Sequence, residues 1–80
     1  MKAVVYATTY CPYCTAAKNV LAKRNIPFDE IDLTHDPKLR EEISAKAGGW
    51  KTVPMIFLDG KFIGGFDELS KLDATGMLKA

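Results

Sequence analysis

Residues 3–21 read AVVYATTYCPYCTAAKNVL, and the hydrophobic period changes once within them, at Pro12. Before the proline, Ala3-Val4-Val5-Tyr6-Ala7-Thr8 is rich in β-branched and aromatic types and too short for a helix, the pattern of a buried strand that ends at Thr9-Tyr10. After it, Tyr13, Ala16, Ala17, Val20 and Leu21 fall at the i, i+3, i+4, i+7, i+8 spacing of one helix face, with Lys18, Lys23 and Arg24 off the stripe. Proline suits the first helical turn, because the N–H it lacks has no intrahelical partner there. Cys11 thus stands at a helix N-terminus and Cys14 in its first turn.

The remaining chain extends this unit. Pro27 to Leu33 alternates at Asp29, Ile31 and Leu33 as a second strand, and Asp36-Pro37 is an N-cap followed by proline at the first helical position. Leu39, Ile43 and Ala47 give the second helix one apolar line, and Gly48-Gly49 stops it. Val53 to Leu58 is a continuous apolar run, the signature of a strand covered on both faces, and Asp59-Gly60 signals a two-residue hairpin into Lys61-Phe62-Ile63. Phe66, Leu69 and Leu72 make a short third helix ending near Asp73 to Gly76. The order β-α-β-α-β-β-α needs a right-handed parallel crossover first and an antiparallel hairpin last. The expected product is α/β, a thioredoxin-like four-stranded mixed sheet with three helices on both faces.

Eighty residues leave room for one domain spanning 1–80, and 48% hydrophobic with 26% charged residues fits a globular chain rather than disorder or a membrane span. A net charge of +1 is too small to argue for nucleic acid or an anionic membrane. The charge is unevenly placed: residues 1–28 carry Lys2, Lys18, Lys23 and Arg24 and no acid, so chemistry there sits in a positive environment. The apolar run Ala3 to Ala7 is too short for the core of a signal peptide, and the expectation is a cytoplasmic protein. In that compartment a close cysteine pair is redox-active or metal-binding more often than a permanent staple.

In the first turn of a helix, residues three apart share a face with Cα atoms roughly 5 Å apart, inside the window a disulfide tolerates. The helix N-terminus presents free N–H groups and about half a positive charge, which favours thiolate at Cys11. Cys11 is therefore the expected nucleophile and Cys14 the resolving thiol, since exchange passes through a mixed disulfide that a nearby second thiol opens. The alternatives are an inert pair or half a zinc site, but zinc normally takes four ligands, and two cysteines with the single His35 fall short.

Cys11-Pro12-Tyr13-Cys14 after the first strand, Thr52-Val53-Pro54 ahead of the third, and Gly64-Gly65-Phe66-Asp67 opening the last helix resemble a dithiol glutaredoxin of the small bacterial type, over about residues 3–75. The resemblance implies a glutathione-dependent thiol–disulfide oxidoreductase acting on protein disulfides and glutathione mixed disulfides. It implies no bound metal or prosthetic group, with glutathione as reducing co-substrate, and the protein is expected to be a monomer. It also implies that Pro54 is cis and lies against the redox pair, and that the backbone at Val53, with Thr52 beside it, pairs with the cysteinyl part of glutathione. A strand-start proline leaves an unpaired edge that a peptide can extend.

By the same resemblance, Gly65, Phe66 and Asp67 hold the γ-glutamyl carboxylate and ammonium, Tyr13 flanks the tripeptide, and Lys51 faces its glycine carboxylate. Free helix amides suit a carboxylate physically. The plain readings are a glycine turn with a capping aspartate, a core aromatic and a solvated lysine. Many relatives carry lysine three residues before the first cysteine, where this chain has Thr8, so that source of positive charge is absent.

His35 reads as a loop residue, Trp50 as either an exposed contact for protein substrates or a lid on the core, and Met55, Phe57 and Met77 as packing. Two competing functions remain: a redoxin recharged by a flavoprotein thioredoxin reductase, and a dimer holding an iron–sulfur cluster between Cys11 residues. Pro12 argues against the cluster, because family members that hold one usually have a smaller, less rigid residue there.

Overall fold

A computed structural model describes residues 1–9 and 11–78. The order is β1 (Ala3–Ala7), α1 (Pro12–Lys23), β2 (Phe28–Asp32), α2 (Pro37–Lys46), β3 (Met55–Leu58), β4 (Lys61–Gly64) and α3 (Phe66–Ala74). The sheet order is β2-β1-β3-β4, with β1 parallel to β2 and antiparallel to β3, and β3 antiparallel to β4. This is the four-stranded mixed sheet the sequence leads one to expect. Tyr10, read as the end of the first strand, lies outside the described residues, and β1 itself stops at Ala7.

Each face of the sheet has its own core. Ala3, Val5, Ala7, Ile56 and Leu58 pack with Ala17 and Leu21 of α1 and Leu69 of α3. The opposite face carries Leu33, Met55, Ile43 and Ala47, with Tyr6, Phe57, Phe62 and Trp50 against them. The split follows from the period of two along each strand, which sends Val5 and Tyr6 to opposite faces. A part-buried Arg24–Asp73 ion pair ties the end of α1 to α3.

Two readings need correction. The apolar run from Val53 forms strand only from Met55, because Val53 and Pro54 stand ahead of the ladder and proline has no N–H to give it. Met77, read as packing, is 64% exposed, whereas Leu78 is buried. The cause is the end of α3. Gly76 (φ 75°) turns left-handed, its N–H bonding Asp73 O (3.2 Å) and that of Met77 bonding Leu72 O (2.9 Å), so the chain reverses and Leu78 re-enters the core. Met55 is buried and Phe57 half-buried as expected. The Asp59-Gly60 hairpin has both residues at positive φ, 51° and 82°, as the tight turn requires.

Removing a buried side chain loses both its transfer energy and the space it filled. Leu69→Ala is expected to cost about 2–5 kcal/mol. Met77→Ala, on the surface, should stay within about 0.5 kcal/mol. Urea unfolding of the two variants checks the contrast.

Candidate functional site

Cys11 is the N-cap of α1. Its backbone is extended (φ −126°, ψ 102°), and its sulfur accepts the N–H of Cys14 at 3.2 Å, a role serine or aspartate usually fills. The sulfur thereby lies at the positive end of the helix dipole. It also lies 3.7 Å from Val53 O, to which its S–H donates. Cys11 is partly accessible, whereas Cys14 is 2% exposed, and both are free thiols. Burial, helped by the hydrogen bond to Cys11, pushes the Cys14 thiol up to about 12 from an ordinary 9.0. One sulfur can meet a substrate and the other cannot, which is the asymmetry expected of a nucleophile and a resolving partner.

Strand register brings the distant motifs to this cysteine. Tyr6 pairs with Met55, so residues 53–54 arrive beside the end of β1 from which α1 departs. The Val53–Pro54 peptide is cis, as the family resemblance implied. Ile56 pairs with Gly64, which carries Gly65 to the same end. A β-carbon placed on Gly65 would stand 3.3 Å from Pro54 O, and one on Gly64 (φ 121°) only 2.5 Å from Glu68 Cγ. Gly64 thus permits a close approach that a side chain would block, while at Gly65 a side chain would only crowd the carbonyl.

The result is a groove of about 350 Å³ lined by Tyr13, Trp50, Thr52, Val53, Pro54, Gly65, Phe66, Asp67 and Glu68. Tyr13 is 60% exposed and its ring meets Phe66 at 6.1 Å. Seven of the eight residues that the resemblance assigns to glutathione thus meet on one surface. Lys51 does not line that groove. It borders the neighbouring depression with Arg40 and Glu41, on the other side of Trp50, where Arg40 donates to Lys51 O at 3.3 Å. His35 is exposed in a turn.

Two residues were underread. Trp50 is at once core and groove wall: its ring packs edge-on to Phe62 at 5.3 Å, and its buried indole N–H has no partner among the described residues. Glu68 accepts the Gly65 N–H at 2.8 Å, so the first amide of the α3 mouth is already taken. The amides of Phe66, Asp67 and Glu68 remain as the first-turn donors without an intrahelical acceptor. The signal for Glu68 lay in its spacing, three residues after an N-cap. For Trp50 the sequence offered a substrate contact or a lid on the core, and the fold makes it a groove wall that packs on the core. Among the described residues no group of three or more His, Cys, Asp or Glu could hold a metal ion, and no helix is long and apolar enough to cross a membrane.

Comparison with known proteins agrees with this geometry. The glutaredoxin family model matches residues 3–63. A glutaredoxin of Pseudomonas aeruginosa is 42% identical over 77 residues, covering 96% of this chain and 90% of that protein. The solution structure of glutaredoxin from Brucella melitensis superimposes with a TM-score of 0.81 at 37% identity, over 95% of this chain and 82% of that one. A crystal structure of a buckwheat glutaredoxin–glutathione complex does so with a TM-score of 0.83 at 28% identity, over 92% and 69%. A thioredoxin-like sheet, an accessible cysteine capping α1 with a buried one behind it, and these matches identify the chain as a member of the glutaredoxin family, the thiol–disulfide oxidoreductases.

Proposed function

We propose that the protein is a glutathione-dependent oxidoreductase that reduces protein disulfides and glutathione mixed disulfides. The observation that carries this reading is the position of Cys11, whose sulfur opens toward Val53 at the end of the groove formed by Tyr13, Thr52–Pro54 and Gly65–Asp67. An extended tripeptide disulfide-linked to Cys11 would lie along Val53, whose backbone is free of the sheet. Its γ-glutamyl carboxylate would meet the open amides of the α3 mouth, and its ammonium Asp67. Lys51, exposed beside Thr52, would face the glycine carboxylate from across Trp50. The buckwheat relative bound to glutathione supports the choice of ligand.

The chemistry then needs two thiols in sequence. Cys11 attacks the substrate disulfide and becomes linked to one half of it. Cys14 opens that link when the substrate is a protein disulfide, and glutathione restores the dithiol. Cys11→Ser should lose reduction of both a disulfide-containing peptide and a glutathionylated peptide, whereas Cys14→Ser should lose only the first. Assays of each variant with glutathione and its reductase check this. Recharging of the wild type by a flavoprotein thioredoxin reductase, and not by glutathione, would favour the alternative redoxin.

Cys14 also carries a pH signature. A thiol whose native value lies above its unfolded one binds its proton more tightly when folded, so stability is intact below pH 9.0 and is lost as pH rises toward about 12. The reduced wild type should therefore lose stability relative to Cys14→Ala across that window, as measured by urea unfolding at stepped pH. Asp67→Ala should raise the KM for glutathionylated peptide by up to about fivefold with little change in kcat, because an exposed charge contact is worth up to about 1 kcal/mol. Added salt should shrink the difference.

A further inference from the structure

A second cavity, of about 240 Å³, opens behind the cysteines on the side away from the groove. Its walls are the N-cap Cys11 with Cys14, Thr15 and Lys18 from α1, Glu30 and Asp32 from β2, and Ala7 at the end of β1 with Thr8 and Thr9 after it. Lys18 stands four residues after Cys14, on the same helix face, and holds the Glu30 carboxylate at 2.6 Å. The groove for the tripeptide uses none of these charges. The cavity has the volume and the polar lining to admit water.

We propose that this cavity is the proton exit of Cys14, with Glu30 as the acceptor and Lys18 as the residue that positions it. The inference rests on the dithiol reading above and adds where the resolving thiol sends its proton. Cys14 is buried and protonated at neutral pH, so it cannot attack until it loses a proton. Its S–H proton passes through water in the cavity to the Glu30 carboxylate. The Cys14 thiolate then forms a bond to Cys11 Sγ as the bond from Cys11 to the substrate sulfur breaks. The electron pair leaves with the substrate thiolate, which takes up the proton released from Glu30 to water. Two sulfurs are oxidised to the Cys11–Cys14 disulfide and the substrate disulfide is reduced to two thiols.

Asp32 is the other carboxylate on the cavity, and it is already committed. Its Oδ1 accepts the Thr34 N–H at 2.8 Å and the Thr34 hydroxyl at 2.6 Å, and Oδ2 accepts the Thr9 hydroxyl at 3.4 Å. These bonds hold its carboxyl below the usual carboxylate range and make it a poor proton acceptor. Among the described residues, the titratable or charged groups facing Cys14 across the cavity are Cys11, Lys18, Glu30 and Asp32, and β1 presents only Ala7 there. Lys18 is a donor and meets only Oε2 of Glu30, whereas both oxygens of Asp32 are engaged, which leaves Glu30.

The plain alternative is that the Lys18–Glu30 pair only fastens α1 to β2. Glu30→Gln, Glu30→Asp and Lys18→Met separate the two, with single-turnover reduction of a peptide containing an intramolecular disulfide and of a glutathionylated peptide followed against pH. A general base contributes about 10²- to 10⁴-fold, and water in the cavity replaces part of that when it is lost, so at neutral pH Glu30→Gln should slow the first reaction about tenfold more than the second. The deficit should close as pH rises toward the titration of Cys14 itself. Glu30→Asp should recover part of the rate, and Lys18→Met should lose less than Glu30→Gln and keep the wild-type pH profile. The proposal is overturned if Glu30→Gln shows the wild-type pH profile, or if it and Lys18→Met depress both reactions alike. Persistence of peptide-disulfide reduction in Cys14→Ser would instead overturn the dithiol reading itself.

Discussion

The antiparallel pairing of β1 with β3 is the constraint on which the site depends. β1 delivers Cys11 from its C-terminal end, and β3 begins at that same end, so Tyr6 opposite Met55 sets Val53 and Pro54 beside the first turn of α1. A one-residue slip would turn every side chain of β3 to the wrong face and withdraw Val53 O from the cysteine. The pairing of Ile56 with Gly64 then brings in the α3 mouth. Three stretches far apart in sequence meet within one groove because two ladders share β3.

The redox pair draws its asymmetry from the same arrangement. α1 lies across the sheet with Cys14, Ala17 and Leu21 facing inward, so the first turn that exposes Cys11 must bury Cys14. Burial holds the second thiol protonated and inert toward solvent. It also makes proton removal a separate requirement, and this gives the charged cavity on the β2 side its significance. Groove and cavity flank the cysteines from opposite sides, one lined by aromatic and backbone groups and the other by charged side chains.

Small residues at the α3 mouth decide how close the walls come. Gly64 lets Glu68 approach to a distance that a β-carbon would forbid, a β-carbon on Gly65 would crowd Pro54 O at 3.3 Å, and Glu68 takes the first free amide. An anion at this mouth therefore meets the next amides along, with the Asp67 side chain at the rim. Trp50 borders both this groove and the Arg40–Lys51 depression, and Lys51 lines only the second.

Much was readable along the chain because it depends on interactions within three or four residues. The change of period at Pro12, the Asp36-Pro37 start, the Asp59-Gly60 turn and the spacing of Cys11 and Cys14 are local facts, and each element appears within three residues of its expected bounds, the end of β1 being the furthest off. What tertiary structure alone decided are the contacts between distant residues. Met77 and Leu78 are both apolar, and only the left-handed turn at Gly76 settles that Leu78 is the one buried. Trp50 became a groove wall because Phe62, twelve residues on, supplied its packing surface. Glu30 is, in sequence, only one acid within the second strand. The parallel register that pairs Val5 with Glu30, and the helix that carries Lys18 over β1, place it on the cavity behind Cys14. Periodicity carries no record of such a meeting, since it arises from how strands align across the sheet and not from the order of residues within any one of them.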